Sequence, residues 1–256
     1  MQTQSFIAMK VEDFFYIGNA VGGEPDYGIA TTFVRTAEAF ASATYQSVYI
    51  IDYYRKNFLY VSPNPLFLCG MSAEEVRKLG YQFYLDHVPA DEVRMLLAIN
   101  EAGFSFINKI PPKERHNYTI TYDFHIVNGR DKILINHKLT GLAYMPDGSV
   151  WLGLSVVSLA THNQAGQIQM HCRDKAEYWD YNLLSRKWIE HPAPVLNETE
   201  KAILTLSIQG LTINEIAERI HITVDAVKSS RRRLFQRLEV NNISEAISYA
   251  TNYKLL

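Results

Sequence analysis

Six cationic side chains, Arg219, Lys228, Arg231, Arg232, Arg233 and Arg237, lie between positions 219 and 237 with a single acid, Asp225, giving a local charge of +5 in a chain whose formal net charge is −2. A cationic cluster of this kind can do electrostatic work, neutralising phosphates and releasing their counterions. Helical spacing sorts the cluster further. At about 100° per residue, Val227, Leu234 and Leu238 fall together, while Asp225, Lys228, Ser229, Arg232 and Gln236 share the opposite face. Base edges in a duplex groove need donors on the exposed front near the helix start, which makes Lys228, Ser229 and Arg232 the candidate base readers. Arg231 and Arg233 flank that front and Arg237 sits further round. These arginines are placed for phosphates, which position a protein without reading sequence.

Such a helix must be held by others, and the helix starts around it are well marked. Asn197 with Glu200, Thr212 with Glu215 and Asn242 with Glu245 each have capping-box spacing, and Thr223 is a plain N-cap with Asp225 in the first turn. Gly210 suits a left-handed helix end. The spacing predicts helices over 198–209, 213–220, 224–238 and 243–253. Apolar stripes at Ile203, Leu204 and Leu206, at Ile216, Ala217 and Ile220, and at Val227, Leu234 and Leu238 give each of the first three a buried side. A short helix, a tight turn and a basic helix in that order are the physical form of a helix-turn-helix reader of double-stranded DNA.

At these residues the segment resembles the LuxR-type (GerE-type) helix-turn-helix family. The resemblance rests on Leu196–Glu200, Gly210-Leu211-Thr212 with Glu215-Ile216-Ala217, Ile222-Thr223, Val227-Lys228, and Leu238 with Val240, and covers about 60 of the 256 residues. It implies base reading at Lys228, Ser229 and Arg232, and phosphate contacts at Thr212, Asn214 and Thr223. It also implies homodimerisation through the fourth helix, where Ala246, Ile247, Tyr249, Ala250 and Tyr253 offer an apolar surface. Three positions depart from the family pattern: Ala226 stands for the usual Thr, Ser230 for the usual His, and Glu239 for the usual Gly. These departures put the family's familiar operator preference in doubt.

Residues 1–195 carry 17 basic and 20 acidic residues, so this part is not itself a nucleic-acid surface. Two distant cysteines, Cys69 and Cys172, without CxxC spacing suit a reducing compartment. No signal peptide is evident, and the longest apolar run, about ten residues around Trp151–Ala160, is too short to span a bilayer. A cytoplasmic protein is expected. The spacing predicts a helix over Thr31–Thr44, a hairpin of Ser47–Asp52 and Phe58–Ser62, and helices near Ser72–Leu79 and Asp91–Ala102. A meander of Tyr118–Val127, Lys132–Leu142 and Val150–Leu159 follows, turning at Asn128-Gly129 and Pro146-Asp147-Gly148. This order resembles a PAS-like sensor domain.

The expected fold class is therefore α+β: an antiparallel sheet with one face packed under helices, followed by an all-α four-helix domain. The expected division is 1–44 as extension and helix, 45–160 as the PAS-like domain, 161–194 as an extra hairpin and proline-containing linker, and 195–256 as the reader. The first thirty residues are either ordered cover or an arm.

Several chemistries lack a signature. The alternating β/α units of a phosphorylated receiver are missing, and Cys69 does not lie in a flavin-photochemistry motif, so it reads as a buried thiol. The histidines lack metal spacing, no cofactor motif appears, and no nucleophile–base arrangement argues for an enzyme. His137 is the exception among the polar residues. If Asn128-Gly129 is the turn, His137 opposes Ile120 on the apolar face with Tyr118, Tyr122 and Phe124. It is then either a core histidine satisfied by a carbonyl or a tyrosine hydroxyl, or a contact for a small ligand. Two rival readings stay open: an adaptor that docks on RNA polymerase or another regulator, and an enzymatic or haem-sensing N-terminal domain.

Overall fold

The computed structural model of the chain describes residues 9–15, 17–253 and 255–256. Its internal contacts divide the chain into two units, 1–191 and 192–256.

In the first unit, alternation of apolar and polar side chains builds one antiparallel sheet. Its strands are β1 (Ser47–Asp52), β2 (Asn57–Val61), β3 (Tyr118–Asn128), β4 (Asp131–Tyr144), β5 (Val150–Leu159), β6 (Gly166–Cys172), β7 (Glu177–Asn182) and β8 (Lys187–Pro192), in the order β2-β1-β5-β4-β3-β6-β7-β8. The helices are α1 (Tyr27–Thr44), α2 (Pro65–Leu68), α3 (Ala73–Leu79), α4 (Gln82–His87) and α5 (Ala90–Ile107). Strands, short helices and meander follow in the order the PAS-like pattern predicts. The stretch 161–194, expected to hold one extra hairpin, carries three strands, and β6 to β8 extend the same sheet beyond β3.

The main core lies between the inner sheet face and the short helices, with Phe58, Phe67, Phe83, Tyr122, Phe124 and Ile135 all buried. The expectation of a single helix-covered face is corrected by α1. Its small residues Ala30, Ala37 and Ala41 pack on Val48, Ile50, Trp151 and Leu152 of the opposite face, so β1 is buried on both sides. Phe14 enters the main core and the Asn19 amide exchanges two hydrogen bonds with the Val150 backbone, at 3.0 and 2.8 Å. From Met9 to Asn19 the described part of the N-terminal stretch is thus cover rather than arm; residues 1–8 and 16 lie outside the described residues.

The β3–β4 register also differs from expectation. Asn128 pairs with Asp131 and Tyr122 with His137, so the two-residue loop is Gly129-Arg130. Only Gly129 takes a positive φ there, +61°, the position where a two-residue hairpin places glycine first. The slip is an even number of residues, so His137 still faces the core.

The second unit is all helical: α6 (Glu198–Ile208), α7 (Ile213–Arg219), α8 (Val224–Leu238) and α9 (Ile243–Asn252). Asn197 and Thr212 form complete capping boxes, and Thr223 Oγ1 accepts the Ala226 amide at 3.1 Å. At the fourth start, Asn242 Oδ1 accepts the Glu245 backbone N–H, while the Glu245 carboxylate accepts the Asn241 backbone N–H and the Asn242 side-chain amide instead of the Asn242 backbone N–H. Gly210 ends the first helical turn region at φ +84°.

Candidate nucleic-acid interface and interior cavity

The turn between α7 and α8 is made without glycine. His221 adopts φ +55°, and its amide and that of Ile222 return to Glu218 and Ala217 carbonyls at 3.2 and 3.0 Å. Ile216, Ala217 and Val227 close on Ile203 and Leu206 beneath this turn, while Leu234 and Leu238 join Leu204, Ala246 and Ala250. The apolar side of α8 is thereby fixed, and Ser230, where the family carries His, is buried with it.

Lys228, Arg232 and Arg233 are exposed, and Ser229 and Arg231 half-buried. Lys228 Nζ stands 3.9 Å from the exposed Asp225 carboxylate, a loose pair that water competes with. Arg231 lies over the Phe235 ring at 5.6 Å. Lys228, Arg231, Arg232, Phe235 and Gln236 line an open groove whose far side is Ile213. Asn214 and Thr223 are exposed beside it, as is Thr212, whose hydroxyl already donates to Glu215 at 2.7 Å.

Arg237 is tied within the domain: its guanidinium donates to the buried Glu200 carboxylate at 2.6 Å, while its side chain stays 42% exposed. One expectation is corrected here. Ala246 and Ala250 are fully buried against α6 and α8, so they are core and not a dimer surface. Of the five residues expected at the dimer surface, Ile247, Tyr249 and Tyr253 are half-buried, the two tyrosine rings stacked at 4.0 Å.

Residues 194–250 match the family model of bacterial regulatory proteins, luxR family. This segment is a LuxR-type helix-turn-helix domain. The response regulator protein VraR of Staphylococcus aureus (strain Mu3) is 36% identical over 62 residues, which are 24% of this chain and 30% of that protein. VraR of Staphylococcus saprophyticus matches over the same share. The match thus spans about a third of the length of these curated relatives. Among solved structures, a phage VqmA–DPO complex is 15% identical with a TM-score of 0.33, covering 91% of this chain and 93% of that one. The Vibrio cholerae VqmA dimer without target DNA is 13% identical with a TM-score of 0.31, covering 82% and 83%.

The four residues expected to share a ligand site in the first unit are divided by the structure. Tyr118 and Tyr122 line a cavity of about 50 Å³ between α5 and the sheet, several times the space one water needs. His137 and Phe124 lie outside its lining. His137 is a core histidine: its Nε2 is hydrogen-bonded to the Tyr49 hydroxyl, which also meets the Tyr84 hydroxyl at 2.5 Å. Burial with no charged neighbour lowers its pKa to about 3, so the ring is neutral at ordinary pH.

Five polar lining residues went unnoticed in the sequence: Tyr53, Asn100, Arg115, Thr140 and Tyr144. A pair of glycines, Gly141 and Gly153, was the available signal, since strands that lose side chains at opposed positions leave space behind. Among the described residues no group of three His, Cys, Asp or Glu is placed to hold a metal ion, and no helix is long and apolar enough to cross a membrane.

Proposed function

We propose that the chain is a sequence-specific regulator of transcription that binds duplex DNA as a homodimer, with α8 in the major groove. In this reading the sheet domain governs that binding through a small molecule or a partner. The carrying observation is the exposed front of α8, where Lys228 and Arg232 stand free of strong ion pairs on a helix whose back is locked into the domain core. Lys228, Ser229 and Arg232 read base edges in this account. Arg231 and Arg233, with Asn214, Thr223 and the amides around Thr212, hold the phosphates.

Selection of bound sequences from a random duplex pool tests the reading directly. It should return a site with two-fold related halves. Lys228→Ala and Arg232→Ala should each weaken that site by about 1–3 kcal/mol and relax preference at one position. If the double variant binds the selected site as the parent does, the reading face is misassigned. The rival reading, docking on RNA polymerase without DNA contact, predicts weak binding of random duplex with little salt dependence. The proposal predicts a steep decline, each cationic phosphate contact adding about 0.9 to the slope of log K against log salt.

A further inference from the structure

The cavity under α5 exists because side chains are missing around it. Gly141 and Gly153 are paired across β4 and β5, and Gly103 of α5 faces Ile120. A Cβ on Gly141 would lie 2.0 Å from the Tyr144 hydroxyl oxygen, and one on Gly153 would lie 3.1 Å from the Tyr53 ring. The apolar walls come from Ile99, Phe104, Leu139 and Met170.

Among the polar side chains on this cavity Arg115 can only donate, while the tyrosine hydroxyls can donate or accept. Tyr53 and Tyr122 are 7% and 6% exposed, and no hydrogen bond engages either hydroxyl among the described residues. Burial pushes both phenols well above their ordinary pKa, and Tyr144 up to about 12, so all three keep their protons. Arg115 is 8% exposed. Its N–H groups reach the carbonyls of Ile110 at 2.9 Å, of Asn108 at 3.3 Å, and of Gly148. A guanidinium has five N–H groups, so two stay available. Among the described residues no carboxylate lies within ion-pair distance of it. The Asp147 carboxyl, beyond ion-pair distance, feels the Arg115 charge, which adds to the lowering of its pKa; a buried cation without a close ion-pair partner is costly.

We infer that the cavity binds a compact monocarboxylate, its carboxylate on Arg115 and Tyr144 and its apolar body against Phe104, Leu139 and Met170. The Tyr53 and Tyr122 hydroxyls donate to one further oxygen of the same molecule. Arginine and carboxylate match in charge and in fork geometry, and a ligand of this class answers each unsatisfied group at once. The inference deepens the proposed control of DNA binding, and it rests on that reading only for its regulatory meaning.

The test uses the full chain and the probes butyrate, 2-oxobutyrate and benzoate, each paired with a neutral counterpart (butyramide, 2-oxobutyramide and benzamide). The acids should raise the melting temperature seen by tryptophan fluorescence and bind at least tenfold more tightly than the amides. The 2-oxo acid should exceed butyrate, and Tyr122→Phe should remove that advantage. Tyr144→Phe should weaken all three acids several-fold while the protein melts as before without ligand. It stands beside Arg115→Lys, whose loss of carbonyl bonds could disturb the fold. Equal binding of acids and amides, or no shift with any acid, overturns the inference. Random-duplex binding of the same preparation is measured in parallel. Intact DNA binding without an acid response defeats the ligand assignment alone; an acid response without DNA binding defeats the DNA reading alone.

Discussion

Removing the Arg237 side chain would leave the Glu200 carboxylate, 4% exposed, without its 2.6 Å partner. That carboxylate also holds the Asn197 amide at the start of α6, so the loss reaches across the domain. Breaking a buried pair costs about 3–5 kcal/mol; because the arginine is 42% exposed, Arg237→Ala should cost less, about 1–3 kcal/mol of domain stability. Arg233→Ala should leave stability unchanged and lower the salt slope of DNA binding by about 0.9. Chemical denaturation followed by helical circular dichroism, alongside binding at several salt concentrations, separates the two. A slope change for Arg237→Ala at full stability would restore it to the phosphate set. His137 makes a second residue-scale prediction. Its ordinary pKa of 6.5 falls to about 3 in the folded chain, so the unfolded chain binds the extra proton between those values. Stability from this group is complete above pH 6.5 and falls below it, by up to about 1.4 kcal/mol per pH unit. All three tryptophans, Trp151, Trp179 and Trp188, precede residue 192 and report on this unit. Urea unfolding at pH 7, 6 and 5 should show the decline, and His137→Gln should flatten it; an unchanged slope in the variant would refute the buried neutral ring.

At the scale of the element, the end of α8 is strained where the family pattern has glycine. Glu239 holds φ +55° and returns its amide to the Gln236 carbonyl. A side chain in this left-handed conformation is disfavoured by about 1 kcal/mol or more. Glu239→Gly should therefore raise the stability of the helical domain by about 0.5–1 kcal/mol, net of the entropy glycine adds to the unfolded chain, and thermal melting reads the gain directly. A lower melting temperature would mean that the Glu239 side chain makes a contact worth more than the strain. This position was legible in the sequence, and so were the helix starts, because caps and chain reversals are local. Asn197, Thr212 and Thr223 needed only neighbours three residues away. The hairpin register was not legible: a period of two fixes which face a strand buries but is blind to a slip of two, so His137 was placed on the right face opposite the wrong partner. Pairings between distant segments were hidden for the same reason. Nothing near Ala246 announced that it would pack under α8, and nothing near Arg115 announced the three carbonyls around it.

At the scale of the molecule, the two units have separate sources of stability. The first buries aromatic residues between helices and sheet, and the second closes two small apolar clusters built entirely from Leu196 onward. Both clusters share α6 and α8, and four capped starts supply the orphan amides. A segment of about 65 residues lies near the lower limit for independent folding, but within it. A fragment of residues 192–256 should unfold cooperatively and bind random duplex with the salt slope of the full chain, because the cationic front of α8 belongs wholly to it. Affinity for the selected two-half site is a different matter. With Ala246 and Ala250 committed to the core, Ile247, Tyr249 and Tyr253 are what remains of the five expected dimer residues, a small apolar surface compared with the roughly 800 Å² per partner of a stable interface. The fragment should thus lose tenfold or more on the paired site while keeping its affinity for a single half. Equal affinity of fragment and full chain for the paired site would place dimerisation in α9 after all, and would leave the sheet domain no part in holding the halves together.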